Sequence, residues 1–84
     1  MVVHGAMGSD VVVVDFATTS ARYEADVKAK GGFAMDCNHG GNHMIPAGIG
    51  PSTWRFFKDH PYKIAPEPYA AGIPAGFPTY CLIP

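Results

Sequence analysis

The chain has 84 residues, which suffices for one small domain with a limited hydrophobic core. Its formal net charge of −1 gives no electrostatic basis for binding nucleic acid or an anionic membrane. No apolar run approaches the roughly 18 to 20 residues that span a bilayer, and the N-terminus lacks the basic and apolar regions of a signal peptide. Because only 15% of the residues are charged while 48% are hydrophobic, we expect further polypeptide to cover part of its surface.

The first half of the chain predicts a strand, a loop and a helix. Residues 1–4 have the character of the end of a buried strand, and Gly5 and Gly8 allow positive φ angles in the loop that follows. A helical pattern covers residues 15–30, with Asp15 as the expected N-cap. One mostly apolar face is expected to be buried, formed by residues at positions i, i+4, i+7 and i+11: Phe16, Ser20, Tyr23 and Val27.

The second half predicts a short strand, a loop, a short helix and an extended tail. The alternation over residues 33–37 favours a strand, and the glycines that follow favour a loop to residue 50. Ser52 is a plausible N-cap for a helix over 52–59. The tail contains six prolines, which exclude a long helix or a central strand from residues 61–84. Five aromatic residues are expected to form the core between the last helix and this tail, with an aromatic binding surface as the alternative: Trp54, Phe56, Phe57, Tyr62 and Tyr69.

Strands that alternate with helices indicate an α/β fold with a parallel sheet. In such sheets, functional groups lie beyond the carboxyl ends of the strands. Asp10 and His43 each follow a predicted strand and are separated by one helix. That order is the one in which the acid and the histidine of a Ser-His-Asp triad follow each other in an α/β-hydrolase. We therefore predict that Asp10 orients the His43 imidazole, which acts as the catalytic base.

Two alternatives to this pair remain open. Asp15 also lies between strand and helix, although helix capping is the simpler use for it. His39 lies four residues before His43 in the same glycine-rich segment and is a second candidate base. Neither Ser9 nor Ser52 lies in a Gly-x-Ser-x-Gly elbow, so the predicted nucleophile is absent from this chain.

The two cysteines, Cys37 and Cys81, can form one disulfide, which favours an extracellular or periplasmic location. A zinc module built from Cys37, His39 and His43 is a less favoured alternative, because no recognised four-ligand spacing is present. His4 and His60 are expected to be structural, the first at a strand end and the second at a helix end.

At these residues the sequence resembles the C-terminal region of α/β-hydrolase esterases of the polyhydroxybutyrate depolymerase and feruloyl or acetyl-xylan esterase group. His4-Gly5 followed by Asp10 resembles the acid loop of the family, although the spacing is longer than usual. The segment from Gly40 to Pro46 resembles its Gly-Gly-x-His-x-x-Pro loop, with Met44 in place of a small polar residue.

The resemblance covers about residues 1–60 and implies two strands and two helices of the hydrolase sheet. The tail, 61–84, is expected to pack on them. The resemblance also implies hydrolysis of a small-molecule or polymeric carboxylic ester, with Asp10 and His43 in the triad and neither a cofactor nor a metal. The isolated chain is expected to be inactive without its serine. The alternative from another functional class is a small secreted, disulfide-linked binding or structural protein.

Overall fold

The computed structural model describes all 84 residues, from Met1 to Pro84. Along the chain the elements are β1 (Val2–His4), α1 (Phe16–Ala29), β2 (Asp36–Asn38), α2 (Ile49–Asp59) and β3 (Cys81–Leu82). They form a small mixed α/β structure with one three-stranded sheet of order β1-β2-β3. The expected α/β class is therefore correct, and the two predicted strands pair in parallel. The third strand was not expected: the end of the tail pairs antiparallel with β2 at the edge of the sheet.

Helix α1 begins where the sequence predicts. Asp15 is its N-cap, and one carboxylate oxygen accepts the Thr18 N–H at 3.0 Å. The predicted buried face is wrong in part, because Tyr23 is 61% exposed whereas Glu24 is buried. The reason is that Ala17 and Ser20 are small enough to let the helix approach β1, and this contact turns Glu24 rather than Tyr23 inward.

The N-cap of helix α2 lies four residues earlier than predicted. Its N-cap is Gly48, in the left-handed conformation at φ +79°, and not Ser52, which is buried within the helix. Pro51 lies in the first turn, where backbone N–H groups have no partner within the helix and a proline is tolerated.

The core lies between β2, α2 and the tail. Met35, Cys37 and Tyr69 are its fully buried members. Phe56 packs against this cluster. The expectation that Trp54, Phe57 and Tyr62 form core is wrong, because they are 64%, 63% and 91% exposed. Strand β2 is also shorter and later than predicted, because only Asp36–Asn38 pairs with β1.

A disulfide joins Cys37 on β2 to Cys81 on β3, as the sequence allowed. It fastens the tail to the strand at the centre of the sheet. Neither helix has the length and the apolar character that crossing a membrane requires.

Candidate active site

Asp10 and His43 meet above the carboxyl ends of β1 and β2. His43 Nδ1 lies 2.9 Å from Asp10 Oδ1, although the two residues are 33 positions apart in the sequence. A carboxylate can only accept hydrogen bonds, so the proton of this bond belongs to His43 Nδ1. The neutral imidazole then keeps its lone pair on Nε2, which is the arrangement a general base requires.

Asp10 is held as a buried carboxylate. Only 3% of the residue is exposed, and its second oxygen, Oδ2, accepts the Gly5 N–H at 2.6 Å. This backbone bond, helped by His43, lowers the pKa of Asp10 below its usual value against the opposing effect of desolvation. Asp10 is therefore ionised at neutral pH and can stabilise a positive charge on the ring.

The imidazole of His43 is oriented by a second contact that sequence reasoning missed. Phe16, the first residue of α1, stacks on it with ring centroids 4.6 Å apart and an interplanar angle of 24°. The side chain is 56% exposed, so more than half of it remains open to solvent. His43 Nε2 has no hydrogen-bond partner within the chain.

Residues 5–15 form the acid loop between β1 and α1, and residues 39–48 form the histidine loop between β2 and α2. The two loops approach each other closely at two glycines. The Ala6 N–H donates to the Gly41 carbonyl at 2.8 Å. A Cβ atom on Gly5 would lie only 2.1 Å from that same carbonyl oxygen. Gly5 is thus required for close approach, and of the two loop glycines only Gly8 has the expected positive φ, at +74°.

The two rival candidates have other partners. Asp15 accepts the Gly8 N–H at 2.6 Å in addition to capping α1, and these backbone donors lower its pKa. His39 contacts no carboxylate: its Nδ1 lies 3.3 Å from the Gly41 N–H, and its Nε2 is buried without a partner. The geometry therefore favours Asp10 over Asp15, and His43 over His39.

His4 and His60 have structural contacts, as expected. His4 is buried beside α1, with Nε2 2.8 Å from Asp36 Oδ1. Burial and the nearby Asp36 carboxylate raise the pKa of Glu24 in the same cluster. His60 ends α2, where it contacts the Phe56 carbonyl through Nδ1 and the Glu67 carboxylate through Nε2.

The structure does not support the zinc alternative. The Cys37 sulfur is bonded to Cys81, so it is not available as a thiolate ligand. No group of three or more His, Cys, Asp or Glu side chains is placed to hold a metal ion, so His39 and His43 do not belong to such a set.

An apolar groove of about 610 Å³ runs between β1 and α2. Its apolar lining comprises Val3, Met44, Ile45, Ile49, Trp54 and Phe57. The groove begins at the residues directly after His43, and no sequence pattern indicated it.

The groove lies beside the unpaired edge of the sheet. Val2 donates to Met35, and the His4 carbonyl accepts from His39, so the peptide groups of both residues point towards β2. Because these directions alternate along a strand, the N–H and the carbonyl of Val3 point away from the sheet.

Comparisons of this chain with protein-family models, with curated proteins and with solved structures found no match.

Proposed function

We propose that this chain carries the acid and the histidine of a Ser-His-Asp carboxylic ester hydrolase, and that the serine lies outside these 84 residues. The observation that supports the proposal is the bond between Asp10 and His43 Nδ1, which leaves Nε2 unpartnered and exposed. The parallel pairing of β1 and β2, with both side chains beyond their carboxyl ends, is compatible with the C-terminal part of an α/β-hydrolase sheet.

In this mechanism, His43 Nε2 removes the proton of the serine hydroxyl while the serine oxygen attacks the ester carbonyl. Asp10 stabilises the imidazolium that forms, because its ionised carboxylate is already bonded to Nδ1. The imidazolium then donates its Nε2 proton to the departing alcohol, which leaves an acyl-enzyme. In the second half of the reaction, His43 Nε2 removes a proton from the water that attacks the acyl-enzyme. It then donates that proton to the departing serine oxygen, which releases the acid.

None of the three serines of the chain fits the role of nucleophile. Ser20 and Ser52 are buried within helices, and Ser9 is exposed in the acid loop without the flanking sequence of an elbow. The unpaired edge of β1 and the apolar groove beside it are surfaces that further polypeptide can cover. We therefore propose that the serine comes from polypeptide that packs against this side of the sheet.

Translation of the DNA upstream of Met1, followed by an assay of the joined protein, tests the proposal. We expect a Gly-x-Ser-x-Gly segment within about 150 residues and hydrolysis of p-nitrophenyl butyrate. Substitutions His43→Ala and Asp10→Asn should each lower kcat by about 10³- to 10⁴-fold. Asn42→Ala and Asp26→Asn, at exposed positions, serve as matched controls. Absence of the segment, or full activity of the His43→Ala protein, would refute the proposal.

The disulfide between Cys37 and Cys81 favours a second candidate, a small secreted binding or structural protein. Both candidates are expected in an oxidising compartment, so we propose an extracellular or periplasmic location. They differ in the association state of the isolated chain: the second candidate requires a monomer. Sedimentation of the 84-residue chain distinguishes them, since a chain that lacks the polypeptide covering its groove should self-associate.

A further inference from the structure

His39 has no part in the proton transfers proposed above, yet its side chain lies inside the site. Its backbone N–H donates to the His4 carbonyl at 2.9 Å, which continues the pairing of β1 with β2 by one residue. Its ring then turns back over the histidine loop, so that Nδ1 faces the Gly41 N–H at 3.3 Å. An imidazole nitrogen that accepts an N–H is unprotonated, which leaves the ring proton on Nε2.

Gly41 links this ring to the acid loop. Its N–H faces His39, and its carbonyl accepts the Ala6 N–H at 2.8 Å. Apart from the bond between Asp10 and His43, this is the one hydrogen bond between the acid loop and the histidine loop. The N–H and the carbonyl of Gly41 belong to successive peptide groups, so a ring that fixes the N–H also restricts the carbonyl that Ala6 contacts.

We propose that His39 is a positioning residue, which holds the Gly41 peptide so that the acid loop and the histidine loop bring Asp10 and His43 into contact. The proposal rests on the proposed function for its catalytic meaning, but its geometry can be tested without any activity. His39 Nε2 is buried and has no hydrogen-bond partner, so the contact with the Gly41 N–H is the one hydrogen bond of the ring.

The test uses the 84-residue chain and two NMR observables, amide exchange of the Ala6 N–H and the signal of the proton on His43 Nδ1. His39→Leu has similar bulk but cannot accept a hydrogen bond. We expect it to accelerate Ala6 exchange by about 10-fold, the loss expected for one hydrogen bond, and to abolish the His43 signal. His39→Asn should restore both, since an asparagine oxygen can accept the N–H two residues ahead. His39→Ala is the second variant without an acceptor, for use if His39→Leu fails to fold.

Asn38→Ala is the matched control. Asn38 Oδ1 accepts the Gly40 N–H at 2.9 Å, so this variant loses a similar bond one residue away and leaves Gly41 untouched. It should keep both NMR observables at their wild-type values. The proposal is overturned if His39→Leu and His39→Ala match the wild type, if Asn38→Ala is equally damaging, or if His39→Asn restores nothing. Failure of the joined protein to hydrolyse esters would refute the proposed function alone, because the Ala6 exchange reports the loop contact directly.

Discussion

Replacement of Gly5 by alanine should separate the two loops that form the candidate site. The added methyl carbon would lie 2.1 Å from the Gly41 oxygen, 2.8 Å from the Gly41 carbonyl carbon and 2.9 Å from the Asn42 oxygen. All three are backbone atoms, so no side-chain rotation can relieve the overlap. The loops must move apart by about 1 Å to restore ordinary van der Waals separation.

That movement is large compared with the contact it disturbs. The bond between Asp10 and His43 is 2.9 Å long, and a displacement of about 1 Å takes the two atoms beyond hydrogen-bonding distance. Overpacking of this kind costs about 1 to 3 kcal/mol. In a domain of this size the melting temperature should fall by roughly 4 to 20 °C.

Thermal unfolding monitored by circular dichroism measures the stability, and exchange of the Ala6 N–H measures the loop contact. Gly50→Ala is the matched control, because Gly50 lies in α2 with open space around the added methyl group. The control should melt at or above the wild-type temperature, since alanine is the better helix former. A Gly5→Ala protein that melts with the wild type and keeps Ala6 protected would refute the reasoning.

Three further predictions concern stability. Replacing both Cys37 and Cys81 by alanine removes a cross-link between residues 44 positions apart, and the free energy of unfolding should fall by about 4 kcal/mol in the chain-entropy model. The urea midpoint should fall accordingly, and equal midpoints would contradict this. Burial and the bond to Asp59 raise the pKa of Tyr69 to about 12. The protonated phenol therefore stabilises the native state fully below pH 10, and this contribution is lost as the pH rises towards 12. Urea unfolding between pH 8 and pH 12 should show this loss, and Tyr69→Phe should abolish the part due to this residue. The pKa of Glu24 is also raised, so its carboxylate is ionised at neutral pH at a cost to the stability of the native state. Glu24→Gln should therefore raise the urea midpoint at pH 7. This gain should vanish as the pH falls below the usual pKa of glutamate. A variant that is less stable than the wild type at pH 7 would contradict this assignment.

The local features of the chain were predictable where the determining interactions are close in sequence. The N-cap at Asp15 follows from a carboxylate placed three residues before an unpaired N–H, which is a local geometry. The start of α2 was missed because Gly48 caps it through its left-handed backbone and contributes no side chain that a sequence pattern could reveal.

Burial was less predictable, because it depends on what each helix contacts. Apolar character suggested that Tyr23, Trp54 and Phe57 are buried, and all three are more than half exposed. Glu24 is buried instead, since the small residues on its side of α1 are the ones that approach β1.

The sequence by itself determined the order of the first four elements and the placement of Asp10 and His43 after two successive strands. Only the tertiary structure decided that the two side chains meet, because their contact depends on the parallel pairing of β1 with β2 and on the approach of the Gly5 and Gly41 backbones. It also decided the positions of the Phe16 and His39 rings, which come to the site through folding and carry no motif of their own. The physical reason is that helix caps and chain turns arise between neighbours, whereas the geometry of this pair is set by residues more than 30 positions apart.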